Sequence, residues 1–479
     1  MGSGGCVGFR GRAGELGGEA ATTRALTAAV VLALWAGAPA AQGQHPAGQV
    51  QSPNVKLDSH VPLGAALTVM DLEIEQELAR PYAYVSRSNY GRVTPPPIGF
   101  DVVSVKEPGR ARVLQRWRID RPEIREGIGA TAGKYFKLRG RYYYAQGFQF
   151  GRNGPDADLA VIVFDVTSLP DTSRVREVAR IRQPDAPGGA HNLFAYKHSN
   201  GQVLLFVTAE APLSFPHGAL IYDMEKLVAG PAEQALVGGV PLPEPRGAPR
   251  GYHDAYVAYH PDSKQDRFYG GGPETTFLGG NYVYDVSDPK NPRLLASIVA
   301  QASLQSGGHT FVATPDGRYG FTIMTSLGHQ PIRIWDLKPA LDGQTPVIRQ
   351  PIGEWTAEPS KSAHMIEVRW PYLFVAHYQA GLQILDVRYS HDPVQVGFYD
   401  TYNYRVPYEG GGTALGAFGV DVRNADGLIV VADMHSGFWS FRMDGFDGWN
   451  GRDWGMPNAS SAQDWDNGPD GAPKPQRVS

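Results

Sequence analysis

Four short stretches carry the residues best suited to chemistry: "AHNLFAYK" (190–197), "YHDAYVAY" (252–259), "GHTFVATP" (308–315) and "AHMIEVRW" (363–370). In each, a histidine stands at the entrance to an apolar, strand-like run, so His191, His253, His309 and His364 form one column when the stretches are aligned. Neutral imidazoles brought to one place bind transition metals, with copper, iron and zinc as the candidates. A second set, His217, His329, His377 and His435, falls near the end of the following strand or in the loop after it. Carboxylates that could join the first set are Asp254, beside His253, and Glu73; Glu367 lies three residues into its strand and belongs deeper. The single cysteine, Cys6, precedes the apolar N-terminal run. Thiolate ligands, a thiolate nucleophile and a disulfide framework are therefore excluded for a processed chain.

A packing role is open to the same residues. A histidine at a strand entrance can bond a neighbouring loop carbonyl and fill a channel mouth while water satisfies its second nitrogen. For the second set, exposure on loops is the plainer reading.

The elements that must position these side chains repeat along the chain. A short apolar strand ending in Asp, often followed by a Pro-containing turn, recurs as "IGFDVVSVKEP" (98–108), "VIVFDVTSLP" (161–170), "ALIYDMEKL" (219–227), "NYVYDVSDPKNP" (281–292), "IRIWDLKPA" (332–340) and "LQILDVRYSHDP" (382–393). The marker residues are Asp101, Asp165, Asp223, Asp285, Asp336 and Asp386, and Arg442 takes the place in a seventh copy, "GFWSFRMDGFDG" (437–448). An Asp at a strand end can accept hydrogen bonds from the N–H groups of the next turn, which predicts a structural role for all six. A hairpin precedes each marker and a further strand follows it, giving four short antiparallel strands per unit. Units of this size are propeller blades. The first-strand column in the other three units holds Glu73, Gly133 and Phe418.

The expected fold is all-β, a seven-bladed β-propeller closed by pairing of N- and C-terminal strands. "NVKLDSHVPLG" (54–64) is a lone fourth strand, and it is assigned to the last blade because that unit lacks its own. The start of strand one and the end of strand two lie on the same face of such a blade, so both histidine sets are placed at one end of the channel.

"GNYVYDVSDPKNPRLLASIV" (280–299) and "AGLQILDVRYSHDPVQVGFYD" (380–400) resemble the LVIVD repeat of secreted and surface bacterial β-propellers. The resemblance implies the propeller fold and an exported bacterial protein, and it implies no particular activity. Carotenoid-cleaving oxygenases and nitrous oxide reductase, which hold iron or copper through histidines on a propeller, are similar in architecture only, without shared motifs.

Three segments are expected. Residues 1–43 form an export segment, with Arg10, Arg12 and Arg24 ahead of "ALTAAVVLALWAGAPA" (25–40); 44–444 form the propeller; 445–479 form a Gly-, Asp- and Pro-rich flexible tail. This predicts a secreted or periplasmic protein with no transmembrane anchor after signal cleavage, and a monomer. The net charge of −4 without a basic run gives no footprint for nucleic acid. "GGG" (270–272, 410–412) lacks the strand–helix setting of a phosphate cradle, so no nucleotide cofactor is expected. "YEGGGTALGAFG" (408–419) is a candidate lid over the mouth. Two functions fit: a metal-dependent enzyme acting on a small molecule, with an oxidoreductase favoured over a hydrolase, or a non-catalytic binding or scaffold propeller with a surface protein as partner.

Overall fold

The computed structural model describes residues 50–451, apart from 91, 152, 185–186, 210–216, 244–250, 273–279, 300–307, 325–329, 359–360 and 403–414, together with residues 464–468. Residues 1–43, the expected export segment, lie outside the described residues, as do His329, residues 408–414 of the candidate lid and most of the expected tail. Among the described residues, no helix is long and apolar enough to cross a membrane.

Seven antiparallel sheets build a seven-bladed β-propeller. Blade 1 runs from Val69–Ile74 through Tyr82–Arg87 and Gly99–Ser104 to Arg112–Arg118. Blade 2 begins at Gly127–Leu138, blade 3 at Ala190–Lys197, blade 4 at Asp254–His260, blade 5 at Thr310–Ala313, blade 6 at Met365–Arg369 and blade 7 at Ala417–Arg423. The first strand of each blade is innermost and almost wholly buried, whereas the fourth alternates: Arg112–Arg118 and Arg176–Arg182 turn arginines outward. Charge on the outermost strand protects the open sheet edge from pairing with another chain.

Ring closure follows the expectation. Val55–Val61 pairs antiparallel with Gly437–Met443, with Val55 opposite Met443 and Val61 opposite Phe438. Residues just before it also tie down blade 6: Ser52 N donates to the Phe398 carbonyl at 3.0 Å and Asn54 Nδ2 to the Val396 carbonyl at 2.9 Å. Val55 is fully buried in an apolar cluster with Ile384 and Phe441. Neighbouring blades are joined chiefly by side chains, as where Tyr84 stacks on Tyr144 at 4.3 Å and Tyr269 meets Phe311 edge-on at 5.3 Å. Backbone also crosses between sheets: Val347–Ile348, on the chain of blade 5, pairs in parallel with Ser297 and Ile298 of blade 4, and single bridges join Ser88 to Gly129 and Tyr378 to Ala417.

The turn role of the marker Asp holds at Asp165, Asp223, Asp285, Asp336 and Asp386, each accepting from the backbone N–H two residues on, at 3.0–3.1 Å. Asp101 departs. Strand pairing sets Ser104 opposite Tyr82, the place that Asp165 takes opposite Tyr143, while Asp101 sits three residues earlier and binds the Arg87 and Arg118 guanidiniums.

The described parts of the expected tail are packed. The Trp449 indole N–H donates to the Trp370 carbonyl at 2.8 Å, Trp465 lies edge-on to Tyr135, and Lys137 Nζ binds Asp466 at 2.6 Å. Two indoles that cover apolar surface explain why these stretches adhere.

Removing residues 50–61 bares the edge of Gly437–Met443, and the truncated protein is expected to elute as aggregates on size exclusion where the full chain elutes as a discrete species. Phe441→Ala, at the fully buried centre of that strand, is expected to cost about 3–5 kcal/mol by urea denaturation.

Candidate functional site at the channel mouth

The first histidine set is assembled at one end of the channel by the innermost strands. His253, His309 and His364 each precede their strand by one residue and remain tied to it, donating their N–H groups to the carbonyls of Gly271 (2.7 Å), Ile323 (3.2 Å) and Ala376 (2.8 Å). His191 lies in a bulge between Ala190 and Leu193. An extra residue in a bulge re-aims its side chain, which brings His191 into line with the other three.

The four rings form an arc. Centroids are 3.9 Å apart for His191 and His253, 3.8 Å for His253 and His309, and 4.8 Å for His309 and His364. Phe418 of blade 7 continues the arc 3.6 Å beyond His364. Strand pairing puts Met70 and Thr131 at the same place in blades 1 and 2, so Glu73 and Gly133 do not belong to the column.

Asp254 completes the cluster. Single donor atoms of His191, His253 and Asp254 all lie within 4.8 Å of one another. The Asp254 carboxylate accepts from Thr310 Oγ1 at 2.5 Å and from Asn192 Nδ2, and lies 3.4 Å from His253 Nδ1 and 3.6 Å from His309 Nδ1. Burial works to raise its pKa, but the neighbouring imidazoles, His253 foremost and then His309 and His191, hold its carboxyl well below the usual carboxylate range. His309 and His364 extend the arc away from this three-residue set.

Two contacts fix imidazole tautomers. The Phe418 carbonyl can only accept, so His364 Nδ1 donates to it at 2.8 Å and Nε2 carries the lone pair. His191 Nδ1 likewise meets Gln149 Oε1 at 2.8 Å. Burial, reinforced by neighbouring imidazoles, pushes His191 and His364 well below the ordinary histidine range, so both are neutral at physiological pH. A neutral imidazole held through Nδ1 is the form that ligates a metal through Nε2.

Of the second histidine set, His329 lies outside the described residues. His217 opens the strand His217–Asp223. His377 is buried edge-on to Trp355, and His435 is buried edge-on to Tyr402. Around the mouth on the side of blades 6, 7 and 1 the lining is apolar: Leu67, Met70, Tyr378, Leu415 and Met434 form one cluster, with Ile128 and Phe418 packed against it.

Below the mouth the channel is charged. Strand register places Asp71, Ala132, Asn192, Asp254, Thr310, Met365 and Gly419 at one level, and Glu73, Lys134, Tyr256, Glu367 and Asp421 two residues deeper. Lys134 Nζ binds Glu73 at 2.6 Å, and Arg369 binds Glu367 at 2.7 Å and Asp421 at 3.5 Å. Burial pushes the Asp421 carboxyl up to about 6. The sequence singled out Glu73 and Glu367 but gave no weight to Asp71 or Lys134; period-two alternation from Glu73 back to Asp71 was the available signal.

No protein-family model matches the chain, and no curated protein does. Among solved structures it is similar to the crystal structure of Chaetomium thermophilum Raptor, with a TM-score of 0.52 and 11% identity over 83% of this chain. The chain spans 30% of that protein's length, and the likeness is one of fold.

Acid should weaken the apo fold through the two neutral histidines. Each has its pKa lowered on folding, so below about 6.5 the unfolded chain binds more protons and stability declines as pH falls through that value. In chelator-treated protein, urea unfolding is expected to lose up to about 1.4 kcal/mol per pH unit for each histidine between pH 6.5 and 5, and His364→Gln to flatten the slope. The depressed Asp254 carboxyl acts in a separate window: its contribution is present above about 3.9 and is lost as pH falls through its lower folded value.

Proposed function

We propose that the channel mouth binds a transition metal, copper, iron or zinc, and that the protein is a metal-dependent enzyme acting on a small molecule. The observation that carries this reading is the mutual approach, within 4.8 Å, of donor atoms from His191, His253 and Asp254. Two imidazoles and one carboxylate are a ligand set that leaves coordination positions open. His309 and His364 stand beside it as further donors. The metal would supply Lewis-acid or redox chemistry at those positions. The chain's own residues supply the rest. Gln149 and the Phe418 carbonyl orient the outer imidazoles, and Asn192 and Thr310 hold the Asp254 carboxylate in place by donating to it. The apolar wall of Met70, Ile128 and Phe418 keeps water from one side.

Within this reading an oxidoreductase is favoured over a hydrolase. Export to the periplasm or cell surface, suggested by the apolar N-terminal run and the repeat resemblance, belongs to the same proposal. So does a monomeric state.

Purified mature protein is expected to carry about one equivalent of copper, iron or zinc by elemental analysis. His253→Ala with His309→Ala should abolish retention through dialysis, and Gln149→Ala should weaken affinity about 10–100-fold. A wild-type protein that binds none of the three metals, and whose melting temperature is indifferent to chelator, would make it a non-catalytic binding propeller instead.

A further inference from the structure

Asp71 and Asp254 occupy the same level of the channel, on blades 1 and 4, but their surroundings are opposite. Asp254 has Asn192 on one neighbouring blade and Thr310 on the other, and both donate to it. At the corresponding places beside Asp71 stand Ala132 and Gly419, which have no side-chain donor. A Cβ at Gly419 would collide with Asp71 Oδ1, so the glycine also makes room for the carboxylate. Asp71 is 4% exposed, and among the described residues nothing donates to Oδ2. An oxygen buried without a donor costs roughly 1–3 kcal/mol, so a fold that keeps it calls for a partner from outside the chain.

The carboxylate stands on an innermost strand, and groups on three other blades, Lys134, Asp254 and Glu367, act on it electrostatically. Burial lifts its carboxyl to about 6, which leaves it ionised in neutral solution. The channel around it is net acidic, with Asp71, Glu73, Asp254, Glu367 and Asp421 against Lys134 and Arg369. Two residues below the Asp254 level, the buried Tyr256 hydroxyl is a second polar atom with no hydrogen-bond partner among the described residues. Above Asp71 the mouth is apolar on its own side, with Met70, Ile128 and Phe418.

We propose that Asp71 anchors a small primary alkylammonium ligand that enters through the mouth, its N–H groups on Oδ2 and its alkyl part against Met70 and Phe418. A hard metal ion fits this point poorly, since it needs several oxygen ligands and the neighbours at this level are Ala132 and Gly419. The site does not depend on a metal at the histidines.

Calorimetric titration of the full mature protein at pH 7.5 with n-propylammonium, 1-propanol and calcium chloride tests it. Saturable binding of n-propylammonium is expected, with at least tenfold weaker binding of 1-propanol. Asp71→Asn should weaken the ammonium at least tenfold while melting at or above the wild-type temperature, since the substitution removes a buried charge whose Oδ2 lacks a donor. The His253→Ala, His309→Ala double variant should bind the ammonium as wild type does, whatever its metal content, which separates this site from the metal reading. Absence of ammonium binding to wild type, equal binding by Asp71→Asn, or preference for calcium or the alcohol would overturn the assignment.

Discussion

Everything in the channel depends on the antiparallel pairing of Val55–Val61 with Gly437–Met443. Blades hold their neighbours mainly through side chains, such as the Tyr84–Tyr144 stack and the Tyr269–Phe311 contact, and such contacts alone would let an open row of sheets splay. Once the last sheet takes its outer strand from the first residues of the domain, the number of sheets and the diameter of the ring are fixed together. A shared radius is what allows residues far apart in the chain, Asp71 and Asp254 or His191 and His364, to occupy one small space.

That space is organised in layers. Imidazoles and apolar side chains share the mouth, carboxylates come next, and ion pairs close the interior. The deepest charges are compensated, Lys134 by Glu73, and Arg369 by Glu367 and Asp421. Buried pairs of this kind repay little or none of their desolvation as net stability. Their consequence is positional: Lys134–Glu73 joins blades 1 and 2 and Arg369–Asp421 joins blades 6 and 7, so those innermost strands are held in register by charge as well as by packing. Asp254 extends the same logic to the mouth, spanning blades 3, 4 and 5 through Asn192 and Thr310.

The repeat was legible because each unit reuses a local solution. Five of the marker aspartates hold their turns through bonds to residues two positions away, so their spacing needs no tertiary knowledge. The histidine column was legible in blades 3 to 6 for the same reason. It failed in blades 1 and 2, where Met70 and Thr131 take the place and no histidine marks it. Asp101 also misled: it precedes a valine as Asp165, Asp285 and Asp386 do, but its partners are arginines on adjoining strands. The environment of Asp71 could not be read locally at all, since it is set by what Ala132 and Gly419 lack.

The short parallel pairing of Val347–Ile348 with Ser297 and Ile298 sets blades 4 and 5 apart from the other pairs. A strand lent by one sheet to the next couples their fates: blade 5 cannot loosen without stripping the outer flank of blade 4. His253 and His309, whose rings are 3.8 Å apart, stand on these two blades. The middle of the imidazole arc is thus carried by a single cooperative unit.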